Sequence, residues 1–120
     1  MEQLHDHVSY LKASNADGVT VFEATAEWCS QCKAIGPFVD KLIKKYPGAR
    51  FYNYDTDSVS AGAIAQELGA NVMPTFHIFK DGMLMDSVTG AKAKELEKAI
   101  SDAYTGEVVE QDDDGETAKK

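Results

Sequence analysis

Two cysteines, Cys29 and Cys32, are the residues of this chain best suited to covalent chemistry. They lie where a β-branched apolar segment gives way to a helical pattern. Backbone N–H groups and the helix dipole favour negative charge at the start of a helix, so we expect Cys29 to react as a thiolate. We expect Cys32, one turn further along, to lie within disulfide reach and to be more covered. This asymmetry favours a two-step exchange, in which Cys29 attacks a target disulfide and Cys32 resolves the mixed disulfide.

The cysteine pair also fits three roles besides disulfide exchange, and all three stay open at this point. A zinc site needs about four ligands, and the other candidate ligands are His5, His7 and His77, whose spacing fits no standard structural site. The pair is also compatible with a permanent structural bridge or with two inert core thiols. In a reducing compartment, however, such a pair is more often catalytic or metal-binding than structural.

The hydrophobic pattern predicts the elements that position these cysteines. Residues 19–25 read as a strand covered on both faces, and Glu23 is the residue that breaks its apolar run. From Cys32 onward, apolar residues recur at helical spacing as far as residues 47–48, and Pro37 is expected to kink that helix. Further helices are predicted over 5–14, 61–68 and 96–103, and further strands over 49–55, 75–80, 83–89 and, at an edge, 2–4.

These elements predict an α/β fold. Strands separated by helices imply parallel pairing with right-handed crossovers, whereas Asp81-Gly82 is a hairpin signal that makes the last two strands antiparallel. We therefore expect a central mixed sheet of four to five strands flanked by four helices. In the first helix, Leu4, Val8 and Leu11 recur at helical spacing and mark the predicted apolar side.

Length and charge bound the remaining possibilities. The chain has 120 residues, typical of one domain, and no apolar run approaches the roughly 20 residues of a membrane span. The net charge of −8 argues against binding to nucleic acid.

Residues 107–120 carry six acidic residues and two lysines, so we expect an acidic, disordered tail after a domain over 1–106. The acidic, polar N-terminus predicts no targeting segment, and the expected location is the cytoplasm, with the nucleus as a second compartment.

An ordered set of motifs resembles the thioredoxin family over residues 2–104. The set is Ala26-Glu27-Trp28-Cys29-Ser30-Gln31-Cys32-Lys33, Pro37, Met73-Pro74-Thr75-Phe76 and Gly90. A CxxC pair near a βαβ pattern is a known sign of that family, and the Met-Pro-Thr-Phe form is similar to its cytosolic eukaryotic members. The resemblance implies the thioredoxin fold and a thiol–disulfide oxidoreductase that reduces protein disulfides and contributes to cell redox homeostasis.

The resemblance also implies roles for the residues around the cysteines. The first cysteine would be the nucleophile and the second the resolving thiol, with Trp28 covering the site. Pro74 would be a cis-proline, and the backbone of Met73 would pair with a bound client chain as an added strand. Gly90, which lacks a side chain, would let a partner approach closely.

Three features are expected to modulate the site. Ser30 and Gln31 replace the family's usual Gly-Pro, which removes a stiffening proline and is expected to alter the reduction potential. Glu23 replaces a buried Asp six residues before the first cysteine, and a buried carboxyl with a raised pKa would serve as general base for the resolving thiol. The alternative is a carboxylate that reaches solvent or pairs with a lysine; the lysine of bacterial members has no match, and Phe51 falls nearest its position. Lys33 is a further candidate to favour the thiolate.

The resemblance implies no bound cofactor, with electrons supplied by NADPH through thioredoxin reductase. The implied clients are disulfide-containing proteins such as peroxiredoxins and methionine sulfoxide reductases, and the protein would act as a monomer. Two alternatives stay open: an oxidase, isomerase or glutathione-dependent variant on the same fold, motivated by Ser30 and Gln31, and a non-catalytic binding module. The intact cysteine pair argues against the binding module.

Overall fold

The computed structural model describes residues 1–110. In chain order its elements are β1 (Glu2–Leu4), α1 (His7–Ser14), β2 (Val19–Thr25), α2 (Ser30–Lys45), β3 (Arg50–Asp55), α3 (Gly62–Leu68), β4 (Thr75–Lys80), β5 (Met83–Thr89) and α4 (Ala93–Ala103). This order, including the short edge strand, confirms the order predicted from the hydrophobic pattern. Most of the predicted tail, residues 111–120, lies outside the described residues. Over residues 1–110, no helix is both long and apolar enough to cross a membrane.

The strands form one mixed sheet in the order β1-β3-β2-β4-β5. β1 and β2 run parallel to β3, whereas β4 runs antiparallel to both β2 and β5. β2 therefore has a neighbour on each side and helices over both faces, and its residues 19–24 are all buried. This confirms the predicted α/β fold with a mixed central sheet. The expectation of parallel pairing between strands that are separated by helices is wrong for β4, which lies antiparallel beside β2.

Alternation along β2 divides its side chains between two cores. Val19 and Val21 pack with α2 and α4 on one face, and Phe22 and Ala24 pack with α1 and α3 on the other. Glu23 continues the first set, two residues beyond Val21. A carboxyl group is thus buried on the face that α2 covers.

Helix α2 starts directly after the end of β2 and the short loop that follows it. Its first residue is Ser30, two residues earlier than the apolar pattern indicates, and Cys29 is its N-cap. The helix continues through Pro37 without ending, although the proline supplies no backbone N–H there. Its buried residues recur at helical spacing against the sheet: Cys32, Ile35, Val39 and Leu42. This packing fixes the start of the helix above the end of the sheet.

Helix α1 buries a different side from the one predicted. Val8 and Leu11 are 61% and 40% exposed, whereas Tyr10 is buried. Tyr10 packs edge-to-face on Phe22, with 5.1 Å between ring centroids. A large aromatic ring buries more apolar surface than the aliphatic side chains, so Tyr10 sets the rotation of the helix.

Residues 104–110, here called the C-terminal strap, fold back over the end of α2. The hydroxyl of Tyr104 accepts a hydrogen bond from the N–H of Gly48 at 2.9 Å and donates to the carbonyl of Glu107 at 2.6 Å. The N–H of Val109 donates to the carbonyl of Lys45 at 2.8 Å. This satisfies one of the carbonyls that the end of a helix leaves free. The domain boundary at residue 106 and the disorder of the tail stay predictions.

We predict that Tyr104→Phe lowers the free energy of unfolding by about 1 kcal/mol, because the ring stays while two hydrogen bonds of its hydroxyl are lost. Urea denaturation should show a lower midpoint at an unchanged slope. Tyr52→Phe is the matched control, since the Tyr52 ring stacks on Phe22 and its hydroxyl makes no hydrogen bond within residues 1–110. Equal midpoints for the two variants would mean that the strap does not stabilise the fold.

Candidate active site

Cys29 and Cys32 lie at the start of α2 and are joined by a disulfide, with 5.3 Å between their Cα atoms. The backbone N–H of Cys32 donates a hydrogen bond to Sγ of Cys29 at 3.1 Å. The sulfur of Cys29 thus occupies the acceptor position of a helix N-cap. After reduction, the same N–H and the helix dipole would stabilise a thiolate on Cys29.

The predicted difference in burial between the two cysteines is wrong. Cys29 exposes 4% of its surface and Cys32 exposes 9%. Cys29 packs with Ala26 and Met73, whereas a cavity reaches Cys32 and not Cys29. The two sulfurs therefore differ in the N-cap position of Cys29 and not in a greater exposure of that residue.

Trp28 forms one side of the site, next to Cys29. Its side chain is 67% exposed, and its Nε1–H donates a hydrogen bond to Oδ2 of Asp57 at 2.8 Å. Asp57 is itself held by a hydrogen bond from its N–H to Oδ1 of Asp55 at 2.9 Å. The sequence analysis missed Asp57. A usable signal existed, because parallel β2 and β3 end at the same edge of the sheet, and the residues that follow them must meet there.

The segment before β4 forms the other side of the site. The Met73–Pro74 peptide bond is cis, and Met73 packs against the cysteine pair. The carbonyl of Pro74 accepts a hydrogen bond from the N–H of Gly90 at 2.7 Å. Gly90 has a φ of +95°, in the region that favours glycine. The structure thus brings the predicted client-binding residues together beside the disulfide.

The three predicted modulating residues lie in the first turn of α2. Ser30, Gln31 and Lys33 are all exposed. None of the ion pairs formed within residues 1–110 involves Lys33. All three side chains are therefore available to a partner that approaches the disulfide.

Glu23 is buried beneath α2 and exposes 6% of its surface. Its carboxyl lines a cavity of about 330 Å³ that Cys32 also lines. Burial raises the pKa of Glu23 to about 7. Within the described residues, no hydrogen bond or ion pair holds this carboxyl. A group that can hold or release a proton at neutral pH thus shares a cavity with the second cysteine.

Asn53, and not Phe51, is the residue beside Glu23 on β3. The strand register pairs Glu23 with Asn53, and Phe51 with Val21. An uncharged amide does not lower the pKa of a neighbouring carboxyl as a lysine would. The sequence alone does not reveal this neighbour, because it depends on the register of two strands that are 30 residues apart in the chain.

Among residues 1–110, no histidine lines the cavity beside Cys32. His77 is buried on β4 with Nε2 3.1 Å from the carbonyl oxygen of Leu68, and His7 pairs with Glu67 at 2.6 Å. In the part of the chain that the structure describes, no group of three or more His, Cys, Asp or Glu side chains is arranged to hold a metal ion.

A disulfide at a helix start, a hydrogen-bond donor on its first sulfur and a cis-proline beside it define a dithiol–disulfide exchange site. The thioredoxin family model matches residues 3–102, and the chain belongs to the thioredoxin family. It is similar to an H-type thioredoxin from Ricinus communis, 39% identical over 90 residues that cover 75% of each chain.

Two solved structures are similar over most of the fold. Mitochondrial thioredoxin 3 from Saccharomyces cerevisiae, in its oxidised form, superposes with a TM-score of 0.80 at 34% identity, covering 85% of this chain and 94% of that one. A second structure, from work on thiol resolution in a yeast mitochondrial 1-Cys peroxiredoxin via glutathione and thioredoxin systems, has the same TM-score and coverage at 33% identity. The predicted family and fold are confirmed.

Family and cysteine pair together make this protein a thiol–disulfide oxidoreductase. Its reaction uses the two sulfur atoms, and thioredoxins need no bound cofactor. The predicted enzyme class is therefore confirmed.

We predict that Glu23→Gln removes a pH-dependent loss of stability. The pKa of Glu23 rises from 4.5 to about 7 on burial. Its contribution to stability is therefore full below pH 4.5 and is lost as the pH rises through 7. Between about pH 4 and about pH 9, the free energy of unfolding should fall by about 3 kcal/mol more in the wild type than in Glu23→Gln.

Urea denaturation of the disulfide form over this pH range measures the difference. Asp86→Asn is the control, because Asp86 is exposed on β5, and its pH profile should follow the wild type. Parallel profiles for the wild type and Glu23→Gln would mean that the Glu23 carboxyl is solvated in the folded protein.

Proposed function

We propose that this protein reduces the disulfides of client proteins and is re-reduced by NADPH through thioredoxin reductase. The observation that carries the proposal is the hydrogen bond from the N–H of Cys32 to Sγ of Cys29. A donor fixed on that sulfur favours its thiolate, which is the attacking form in disulfide exchange.

In the proposed reaction, the Cys29 thiolate attacks one sulfur of a client disulfide. A mixed disulfide forms and the other client sulfur leaves as a thiolate. Cys32 then loses its proton and attacks Sγ of Cys29, which releases the second client sulfur. The client gains two electrons, its thiolates take up protons from water, and this chain is left with the Cys29–Cys32 disulfide.

We further propose Glu23 as the base that takes the proton of Cys32. Both residues line the same cavity, which has room for a water molecule between them. A base acts best when its pKa lies near the working pH, and the pKa of Glu23 is about 7. Because Glu23 carries no charge partner in the described residues, the buried carboxyl can cycle between both protonation states.

Client binding is assigned to the apolar surface beside the disulfide. Trp28 and Val72 are 67% and 53% exposed, and an apolar client segment would cover both. The backbone of Met73 is proposed to pair with the client as an added strand, while Gly90 leaves room for close approach. Ser30, Gln31 and Lys33 lie exposed in the adjacent turn and would adjust the potential and the choice of partner.

The proposed clients are peroxiredoxins and methionine sulfoxide reductases, and the proposed working form is a monomer. The second of the two solved structures described above comes from work that links a thioredoxin system to a peroxiredoxin. We propose the cytoplasm, with the nucleus as a second compartment, as the location. A single reactive cysteine pair in place of a disulfide framework is typical of a reducing compartment.

We predict rapid reduction of insulin disulfides by the wild type with NADPH and thioredoxin reductase, and complete loss in Cys29→Ser. Cys32→Ser should accumulate a mixed disulfide, because the resolving thiol is missing. Coupled NADPH oxidation and non-reducing electrophoresis measure the two effects.

The outcomes separate the alternatives. Turnover with dithiothreitol but not with the reductase would point to another reductant, such as glutathione, and would assign that change to Ser30 and Gln31. If neither reductant supports turnover and Cys29→Ser still binds the client, the result would favour the binding module.

We predict that Glu23→Gln slows resolution of the mixed disulfide by about 100-fold at neutral pH, within the range for loss of a general base. The rise of the wild-type rate through pH 7 should disappear, because that rise reports ionisation of Glu23. Stopped-flow measurement of client release gives the rate, and the initial attack by Cys29 serves as the internal control. Equal slowing of both steps would contradict a proton-transfer role and indicate a structural one.

A further inference from the structure

The cavity beside Cys32 has a lining rich in negative charge. Four carboxyl groups line it, those of Glu23, Glu27, Asp40 and Asp55. The cationic groups on the same lining are the side chain of Lys33 and the α-amino group of Met1. Carboxyl groups therefore outnumber cations by two to one around a space of about 330 Å³.

The inner wall of this cavity presents a carboxyl group that has no charge partner in the described residues. Glu23 is more than nine-tenths buried, and no partner for its carboxyl occurs within residues 1–110. Asn53, the register partner of Glu23 on the adjacent strand, lines the same cavity and carries no charge. Buried polar groups of folded proteins are normally satisfied, so the Glu23 carboxyl is suited to a ligand that donates hydrogen bonds.

The ligand chemistry follows from this arrangement. The described carboxylates do not cluster closely enough to hold a metal ion, so the acceptors favour a larger cation with several N–H donors. A guanidinium offers five donors and no acceptor, and an ammonium offers three. We propose that this cavity binds the basic side chain of a protein partner, with its guanidinium or ammonium group seated against Glu23.

Occupancy would be linked to the protonation of Glu23. An opposite charge within about 4–6 Å lowers the pKa of a carboxyl by about 1–3, and by reciprocity the cation binds more tightly once Glu23 is ionised. The other charged groups on this lining belong to the residue before β1, the loop before α2, α2 itself and β3: Met1, Glu27, Lys33, Asp40 and Asp55. The neighbour of Glu23 on β4, Phe76, is apolar.

This linkage connects to catalysis through the function proposed above. A bound cation favours the ionised carboxyl, which is the form that accepts a proton from Cys32. A partner that inserts a basic side chain would thereby supply the positive charge that Asn53 lacks. Binding can be measured on the disulfide form, so its outcome is independent of turnover.

An NMR titration of the full chain with N-acetyl-arginine-N-methylamide tests the proposal. The expected result is a set of chemical-shift changes confined to Glu23, Asn53, Asp55 and their neighbours, with binding about 10-fold tighter at pH 8 than at pH 5.5. The pKa of Glu23, read from its carboxyl carbon, should fall by about 1–3 at saturation. Glu23→Gln should lose the pH dependence of binding, whereas the exposed control Asp86→Asn should retain it.

Matched probes distinguish a specific cation site from weaker causes of the same shifts. The citrulline analogue has the same shape without the charge, and equal binding of it would overturn the assignment to a cation. Equal shifts with magnesium chloride at matched ionic strength would reduce the effect to diffuse charge and also overturn it. Tighter binding of spermidine than of an arginine-containing peptide would reassign the cavity to a free polyamine. An absence of shifts in a protein that still reduces insulin would overturn this inference and leave the proposed function intact.

Discussion

One hydrogen bond, from the backbone N–H of Cys32 to Sγ of Cys29, sets the chemistry of this molecule. It exists because α2 begins directly behind a strand that is buried on both faces and cannot shift. The apolar residues of α2 hold the helix on the sheet, and the N–H of Cys32, one of those left free in its first turn, then points at the sulfur. The stability of the core and the reactivity of the site therefore depend on the same junction.

The alternation that builds the core also places a carboxyl group in the cavity that reaches Cys32. Val19 and Val21 pack beneath α2, and the next position on that face is Glu23. Burial of this carboxyl opposes folding above its pKa, so the residue is a poor choice for stability alone. Proteins tolerate such local conflicts mainly at functional sites, and here the conflict lies within the cavity that reaches Cys32.

The elements and the reactive pair could be predicted because their signals are local. The spacing of apolar residues, the runs of β-branched residues and the Asp81-Gly82 turn define the strands and helices without knowledge of their neighbours. The contacts of Trp28 with Asp57 and of Glu23 with Asn53 join segments about 30 residues apart, and they depend on strand register. The exposed side of α1 was mispredicted for a related reason, because the choice between its apolar residues is made by Phe22 on another element.

The strap over the last turn of α2 has an electrostatic consequence for the site. It holds the backbone beside Glu107 and Glu110 at the end of a 16-residue helix whose other end carries the cysteines. At 1.5 Å per residue, the two ends are about 24 Å apart, which is more than twice the screening length at physiological ionic strength. The negative charge of the strap therefore contributes very little to the electrostatic potential at the thiolate. The field at the sulfur is set by its own helix and by the charged groups that lie within a screening length of it.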